Sequence, residues 1–148
     1  MRIYVASSWR NQRLTDVVKA LRYAGHEVYD FREHDAFDWK QIQPDWERWT
    51  PKQFCRNLKH PAAVAGYQRD ITALNHSEAV VLVAPCGRSS HLELGIAIGI
   101  GIPTAILLAE GERPELSYSA ADRLCLSIQE VLDFLTAEQD AQVREETP

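Results

Sequence analysis

Apolar residues follow two rhythms along this chain, and the rhythms alternate. Residues 2–6, RIYVA, form a short apolar run suited to a buried strand, and residues 11–24 then place Leu14, Val17, Val18 and Leu21 at helical spacing until Gly25 ends the helix. HEVYDF at 26–31 reads as a second strand, so the chain opens as strand, helix, strand. From Pro61 a helix resumes in PAAVAGYQRDITALNHS, with Val64, Tyr67, Ile71 and Leu74 as its expected buried face. EAVVLVA at 78–84 suits the centre of a sheet, HLELGIAIGI at 91–100 reads as a helix despite its glycines, and IPTAILL at 102–108 is the next strand. GERPELSYSAAD at 111–122 is a loop, RLCLS a short edge strand and IQEVLDFLT a closing helix, before a charged tail expected to fray from residue 137.

Strands that alternate with helices imply a parallel sheet covered on both faces, because each apolar run needs burial on two sides. The expected architecture is therefore a flavodoxin-like three-layer α/β sandwich with a five-stranded parallel sheet, built as a single domain over residues 1–148. Residues 32–60 break the rhythm: they hold three of the four tryptophans and two prolines without a long period of either kind. An insertion of this length, with short helical pieces at most, is expected to cover a site or an interface. Ligands of such sheets bind beyond the carboxyl ends of the strands, where ASSWRN, the Trp-rich insertion and PCGRSSHLE should converge.

Composition narrows what that crevice holds. A chain of 148 residues can remove roughly 68% of its unfolded surface from water, enough for one core. The net charge of -5 opposes broad binding to a nucleic-acid backbone, although local groups can still hold one phosphate. The N-terminus turns polar by position 7 and no apolar run approaches the roughly 20 residues that span a bilayer, so a soluble cytoplasmic protein is expected. Cys55, Cys86 and Cys125 are sparse and odd in number, which favours structural thiols over disulfides or a zinc knot. His26, His34, His60, His76 and His91 lack compact ligand spacing, and neither a Gly-x-Gly-x-x-Gly nor a Walker pattern occurs, so no metal or other cofactor is expected.

Two carboxylates stand out. Ser90-His-Leu-Glu93 fits a capping box, with Glu93 favoured by the dipole of the helix it opens. Gly87, Ser89 and Ser90 also make that helix start an anion site, and Gly95 and Gly99 weaken the helix in a way that points to close packing or close approach of another group. A carboxylate placed there should stay ionised at neutral pH, as a nucleophile must. Asp70 lies at the edge of its helix's apolar stripe, roughly 12 Å up the helix from the strand that follows, so it approaches the carboxyl end of the sheet. Paired carboxylates beside aromatic walls suit the splitting of a glycosidic bond, in which one carboxylate attacks or stabilises the anomeric carbon while the other handles a proton or orients the sugar. Arg10 and Arg88 are candidate phosphate ligands, or solvated surface arginines. Ser7 and Ser8 either donate to the same anion or cap the first helix. Trp39, Trp46 and Trp49 fit base stacking, a lid or packing, and Trp9 lies closer to the crevice.

The stretches RIYVASSWRN, GHEVYDFR, GYQRDITALNHSEAVVLVAPCGRSSHLELGIAIGIGIPTAIL and PELSYSAAD together resemble the nucleoside 2-deoxyribosyltransferase superfamily, which includes deoxynucleoside and nucleotide N-hydrolases. The resemblance covers most of residues 2–125 and is densest at 67–107. It implies a flavodoxin-like fold, a nucleoside or nucleotide substrate and assembly into homodimers or larger oligomers with sites near subunit contacts. It also implies that Glu93 attacks C1′, that Asp70 contacts the sugar or assists proton movements, and that Tyr4 orients the glutamate. Ser117 resembles part of a loop that contributes across a subunit interface, with capping of turn amides as its other role. Gly87 departs from the pattern: many transferases carry an acid six positions before the glutamate, where it engages the leaving base. The expected function is thus N-glycosidic hydrolysis of a nucleoside or its 5′-monophosphate. Base exchange, or a noncatalytic nucleotide-binding or structural oligomer, are the alternatives.

Overall fold

Parallel strands need apolar side chains on both faces, and the runs predicted from sequence meet that demand. The computed structural model describes residues 1–33 and 36–145. In chain order these form β1 (Arg2–Ala6), α1 (Leu14–Tyr23), β2 (Glu27–Asp30), α2 (Pro51–Asn57), α3 (Pro61–Asn75), β3 (Ala79–Val83), α4 (Arg88–Gly99), β4 (Thr104–Leu107), β5 (Arg123–Cys125) and α5 (Ile128–Glu145). All five strands pair in parallel in the order β2-β1-β3-β4-β5, the predicted flavodoxin-like sandwich.

The period of two along each strand divides the core. Ile3, Val5, Val81 and Val83 pack with Leu14, Val17 and Leu21 of α1 and with Val131 and Leu135 of α5. Tyr4, Ala6, Val80 and Leu82 face the other way, onto Leu74 of α3 and Leu94 and Ala97 of α4. The strand order reverses between β1 and β3, which opens a crevice above their carboxyl ends.

Three local expectations change. The buried face of α3 is Ala63, Gly66 and Leu74, whereas Val64 and Tyr67 point outward at 39% and 63% exposure. Small residues face inward because the insertion leans on them: a Cβ built on Gly66 would lie 2.6 Å from Phe37 Cβ. The last helix continues to Glu145, past residue 137, because the charged tail is rich in Ala, Glu, Gln and Arg, all good helix formers. Gly95 and Gly99 of α4 are not signs of close packing within the chain, since nothing lies within 4 Å of a Cβ built on either.

The insertion after β2 forms a small core of its own. Two 3-10 turns, Trp39–Gln41 and Trp46–Arg48, precede α2, which starts with a capping box between Thr50 and Gln53. Trp39, Trp49 and Phe54 meet edge to face at 5.2–5.7 Å, with Phe37 against Trp39 at 4.9 Å and Trp46 against Phe54 at 6.2 Å. Such geometry suits the aromatic quadrupole and consumes the faces and edges that base stacking would need. The three insertion tryptophans are therefore packing residues first.

Two helical glycines thus predict opposite outcomes. Gly95→Ala adds helix propensity in open space and should stabilise the fold by about 0.5–1 kcal/mol. Gly66→Ala gains the same propensity but drives its methyl into Phe37, for a net loss of about 1–3 kcal/mol and a changed tryptophan emission. Urea unfolding followed by fluorescence checks both.

Candidate active site

The floor of the crevice is made of strand-end carbonyls, which need donors. Ser7 Oγ donates to the Val83 carbonyl at 2.8 Å, and Asn11 Nδ2 donates to both Ser7 Oγ and Val83 O at 3.0 Å. Arg13 Nη1 reaches Ala84 O at 3.3 Å and Leu108 O at 3.0 Å. Ser90, almost fully buried, donates through Oγ to Ser7 O at 2.8 Å and so ties α4 to the end of β1. Asn11 and Arg13 are missing from the sequence reading, because their partners are backbone atoms more than 70 residues away.

The capping box does not form. α4 begins at Arg88 with Gly87 as its N-cap and no side-chain cap, so Ser90 already lies within the helix and Glu93 a full turn further along. Ser90 spends its hydroxyl on Ser7 instead, and Glu93 is freed from the helix start. Ser7 and Ser8 do not cap α1 either: its N-cap is Arg13, without a side-chain cap, and Ser8 Oγ accepts from the Arg10 amide at 3.2 Å.

Glu93 instead faces Tyr4 and Asp70 across the space between α3, α4 and the sheet. Tyr4 is 1% exposed, and its hydroxyl interacts with Glu93 by hydrogen bonding and charge. Burial, then repulsion from Asp70, pushes the Glu93 carboxyl up to about 7, with the Tyr4 hydrogen bond pulling the other way. The expectation that Glu93 is fully ionised at neutral pH is thus corrected: near pH 7 it is poised between both forms. Asp70 is also raised, by burial, against the hydrogen bond from Tyr29 and the charge of Arg69.

Tyr29 is the residue that sequence reasoning missed. Its hydroxyl donates to Asp70 Oδ1 at 2.7 Å, and its ring stacks on Tyr4 with centroids 5.3 Å apart and planes 14° from parallel. The signal was the tyrosine at the same point of two strands, which only the β1–β2 register brings side by side. A third carboxylate at the end of β2, Asp30, behaves oppositely. Burial would raise it, but the Arg32 guanidinium, 2.6–3.1 Å from both its oxygens, holds it below its usual range.

The remaining candidates spread around this centre. Trp9, 58% exposed, rests edge to face on Phe31 at 5.4 Å, beyond β1 and β2. Arg10 is exposed on the loop after β1, Gly87, Arg88 and Ser89 are exposed at the N-cap and first turn of α4, and Ser117 is exposed on a 3-10 turn, Leu116–Ala120. That turn is tied to α4 through His91, whose Nε2 lies 2.8 Å from the Tyr118 hydroxyl and whose Nδ1 lies 2.8 Å from Gly87 O. A carbonyl only accepts, so Nδ1 carries a proton and donates to Gly87 O. His34 lies outside the described residues, and among the described ones no group of three His, Cys, Asp or Glu is placed to hold a metal ion. Also among them, no helix is long and apolar enough to cross a membrane.

No family model matches the sequence, and no curated protein matches it. Solved structures do: the 2-deoxyribosyltransferase of the psychrotolerant bacterium Bacillus psychrosaccharolyticus aligns with a TM-score of 0.62 at 19% identity, over 88% of this chain and 90% of that one. The chain has the fold of a 2-deoxyribosyltransferase. A conserved protein of Enterococcus faecalis V583 aligns with a TM-score of 0.63 at 14% identity, over 93% and 98% of the two chains. The CMP N-glycosidase BcmB of Clostridium botulinum gives 0.50 at 19% identity, over 92% and 99%. The likeness is one of fold, and within this fold Asp70 lies near enough to Glu93 for its charge to oppose ionisation of the glutamate.

A carboxyl raised by folding carries a sign. The unfolded chain loses the Glu93 proton near 4.5 and the folded chain near 7, so between these values the folded state binds more protons and stability falls as pH rises. Glu93→Gln removes that titration. At about pH 8 the variant should be more stable than the wild type by on the order of 2 kcal/mol, and the difference should close towards pH 5. Urea unfolding at the two pH values measures it.

Proposed function

We propose that this protein is an N-glycosidase that cleaves the bond between base and sugar in a 2′-deoxynucleoside or its 5′-monophosphate. The observation that carries the reading is the meeting of Glu93, Asp70 and Tyr4 in one partly dry crevice at the switch point of the sheet. The likeness in fold to a 2-deoxyribosyltransferase and a CMP N-glycosidase supports it.

In this reading the ionised Glu93 carboxylate attacks C1′ as the bond from C1′ to the base nitrogen breaks, and the base leaves with the electron pair and takes up a proton from solvent, to which Asp70 returns one after the second step. A water molecule then attacks C1′, the bond to the Glu93 oxygen breaks, and the water proton passes to a carboxylate of the site, Asp70 in the first instance. A 2′-deoxy sugar eases this path because no electron-withdrawing hydroxyl destabilises the oxocarbenium-like transition state. Tyr4 holds the glutamate oxygen that does not attack. A carboxylate with a value near 7 is a stronger nucleophile than an ordinary one, at the expense of being half protonated at neutral pH.

Water is the acceptor we favour. Gly87 stands exposed at the N-cap of α4 with no atom within 4 Å of a built Cβ, so the position where many transferases carry an acid offers no group to a leaving or entering base. Trp9, exposed on the loop after β1, is the candidate for stacking a base, and Arg10 and Arg88 are the candidate partners of a 5′-phosphate, with Ser8, Ser89 and Ser117 as further polar groups around the substrate; Ser7 and Ser90 spend their hydroxyls on backbone carbonyls and support the site from below. A homodimer or larger assembly would complete the rim of the site.

Chromatography of free base tests the proposal, with ribo- and 2′-deoxynucleosides and their 5′-monophosphates as substrates, each with and without an added free base. Base release should fall on the order of 10⁴-fold or more in Glu93→Ala. New nucleoside should not form, and kcat/KM should rise with pH through about 7. Base release unchanged in Glu93→Ala, or none from any substrate, would overturn the reading; the second result would leave a ligand-binding protein.

A further inference from the structure

Three contacts converge on Tyr29. The parallel register sets it opposite Tyr4, so both side chains leave the sheet on the face covered by α3 and α4, and the rings stack at 5.3 Å. Its hydroxyl donates to Asp70 Oδ1 at 2.7 Å. Arg69, beside Asp70 on α3, is a further hydrogen-bond partner of the phenol and a favourable charge for both groups. Packing accounts for the ring, which phenylalanine would match. It does not account for a hydroxyl held between a guanidinium and a site carboxylate. Polar chains of this kind, in which each member polarises the next, are worth more together than as separate pairs.

We propose that Tyr29 is a positioning residue that couples the two carboxylates: its hydroxyl fixes Asp70, and its ring backs Tyr4 where Tyr4 meets Glu93. The charge on Asp70 opposes ionisation of Glu93, so the group that stabilises a charged Asp70 also decides that Glu93 is the carboxyl that keeps the proton longer. Tyr29 thereby sets which carboxyl is the attacking group and at what pH it becomes available. The consequence for catalysis rests on the N-glycosidase reading; the coupling itself does not.

The neighbours that bear on this titration are few. Glu93 faces Tyr4 from β1 and Asp70 from α3, and it interacts with Cys86 from the loop after β3. Asp70 faces Tyr29 from β2 and Arg69 from its own helix. Burial holds both phenols well above their usual range and pushes the Cys86 thiol up to about 11, so the two carboxyls titrate before any of these; Cys86 in turn meets His91 of α4 at 3.8 Å and the charge of Glu112.

Carbon-13 NMR of the full chain, labelled at the side-chain carboxyls of Asp and Glu, reads the coupling without any substrate. The Glu93 and Asp70 signals are assigned by their loss in Glu93→Gln and Asp70→Asn. In Tyr29→Phe, which keeps the stack and removes the hydroxyl, the Asp70 midpoint should rise and the Glu93 midpoint should fall, each by roughly half a pH unit or more. In a second sample labelled at the tyrosine rings, with Tyr4 assigned by its loss in Tyr4→Phe, the Tyr4 signals should shift in Tyr29→Leu. Unchanged midpoints in a folded Tyr29→Phe protein would overturn the proposal, as would a Tyr29→Leu protein whose Tyr4 signals match those of Tyr29→Phe. If the wild type releases base, the acid limb of kcat/KM should move down with the Glu93 midpoint, a shift that a merely structural role would not produce. If the wild type releases none, the N-glycosidase reading fails while the midpoints still decide the role of Tyr29.

Discussion

One residue of register between β1 and β2 places Tyr4 opposite Tyr29. A slip by a single position would turn one of the rings to the α1 and α5 side and separate the pair, because side chains alternate along a strand. The stacked phenols form the base of the crevice, and each leads to a different carboxylate: Tyr4 to Glu93 on α4, Tyr29 to Asp70 on α3. Sheet register therefore controls the relation between a carboxylate of α3 and one of α4. The rigid floor of Ser7, Asn11, Arg13 and Ser90 fixes the same region from the loop side, with every hydroxyl and amide there spent on a strand-end carbonyl or on a neighbour that bonds one.

Against that framework the chain keeps two acids close and partly dry, an arrangement that opposes folding at high pH. The contrast with Asp30 is instructive. Asp30 is more buried than either, yet Arg32 satisfies both its oxygens and lowers its affinity for a proton. Glu93 has a neutral phenol for a partner and another acid for a neighbour. A carboxylate paired with a guanidinium and two carboxyls that share a buried space are two solutions to the same burial problem, and they move the proton affinity in opposite directions.

The fold was legible because its signals are local: apolar runs of strand length, helical spacing between them, and glycine at a helix end. All five strands follow from those signals, whereas their order β2-β1-β3-β4-β5 follows from the usual topology of such sheets and from no particular residue. Glu93, Asp70 and Tyr4 were legible as candidates for the same reason, through motif and resemblance. Long-range partners were not. Ser90 fitted a capping box by spacing, but the helix starts two residues earlier and the hydroxyl finds Ser7 across the crevice. The inward face of α3 was misjudged because Phe37, far along the chain, selects Gly66 over the larger Val64 and Tyr67. Tyr29 carries no motif at all, and its role exists only once two strands are aligned.

The central claim is that Glu93 bonds to the sugar. Intact-protein mass spectrometry, after brief incubation with a 2′-deoxynucleoside and an acid quench, tests it most directly when followed by peptide mapping. The account predicts a mass increase of one 2-deoxyribosyl group on the peptide that contains Glu93, absent from Glu93→Gln. Base release that proceeds at the wild-type rate in Glu93→Gln, with the peptide unmodified in both proteins, would contradict it.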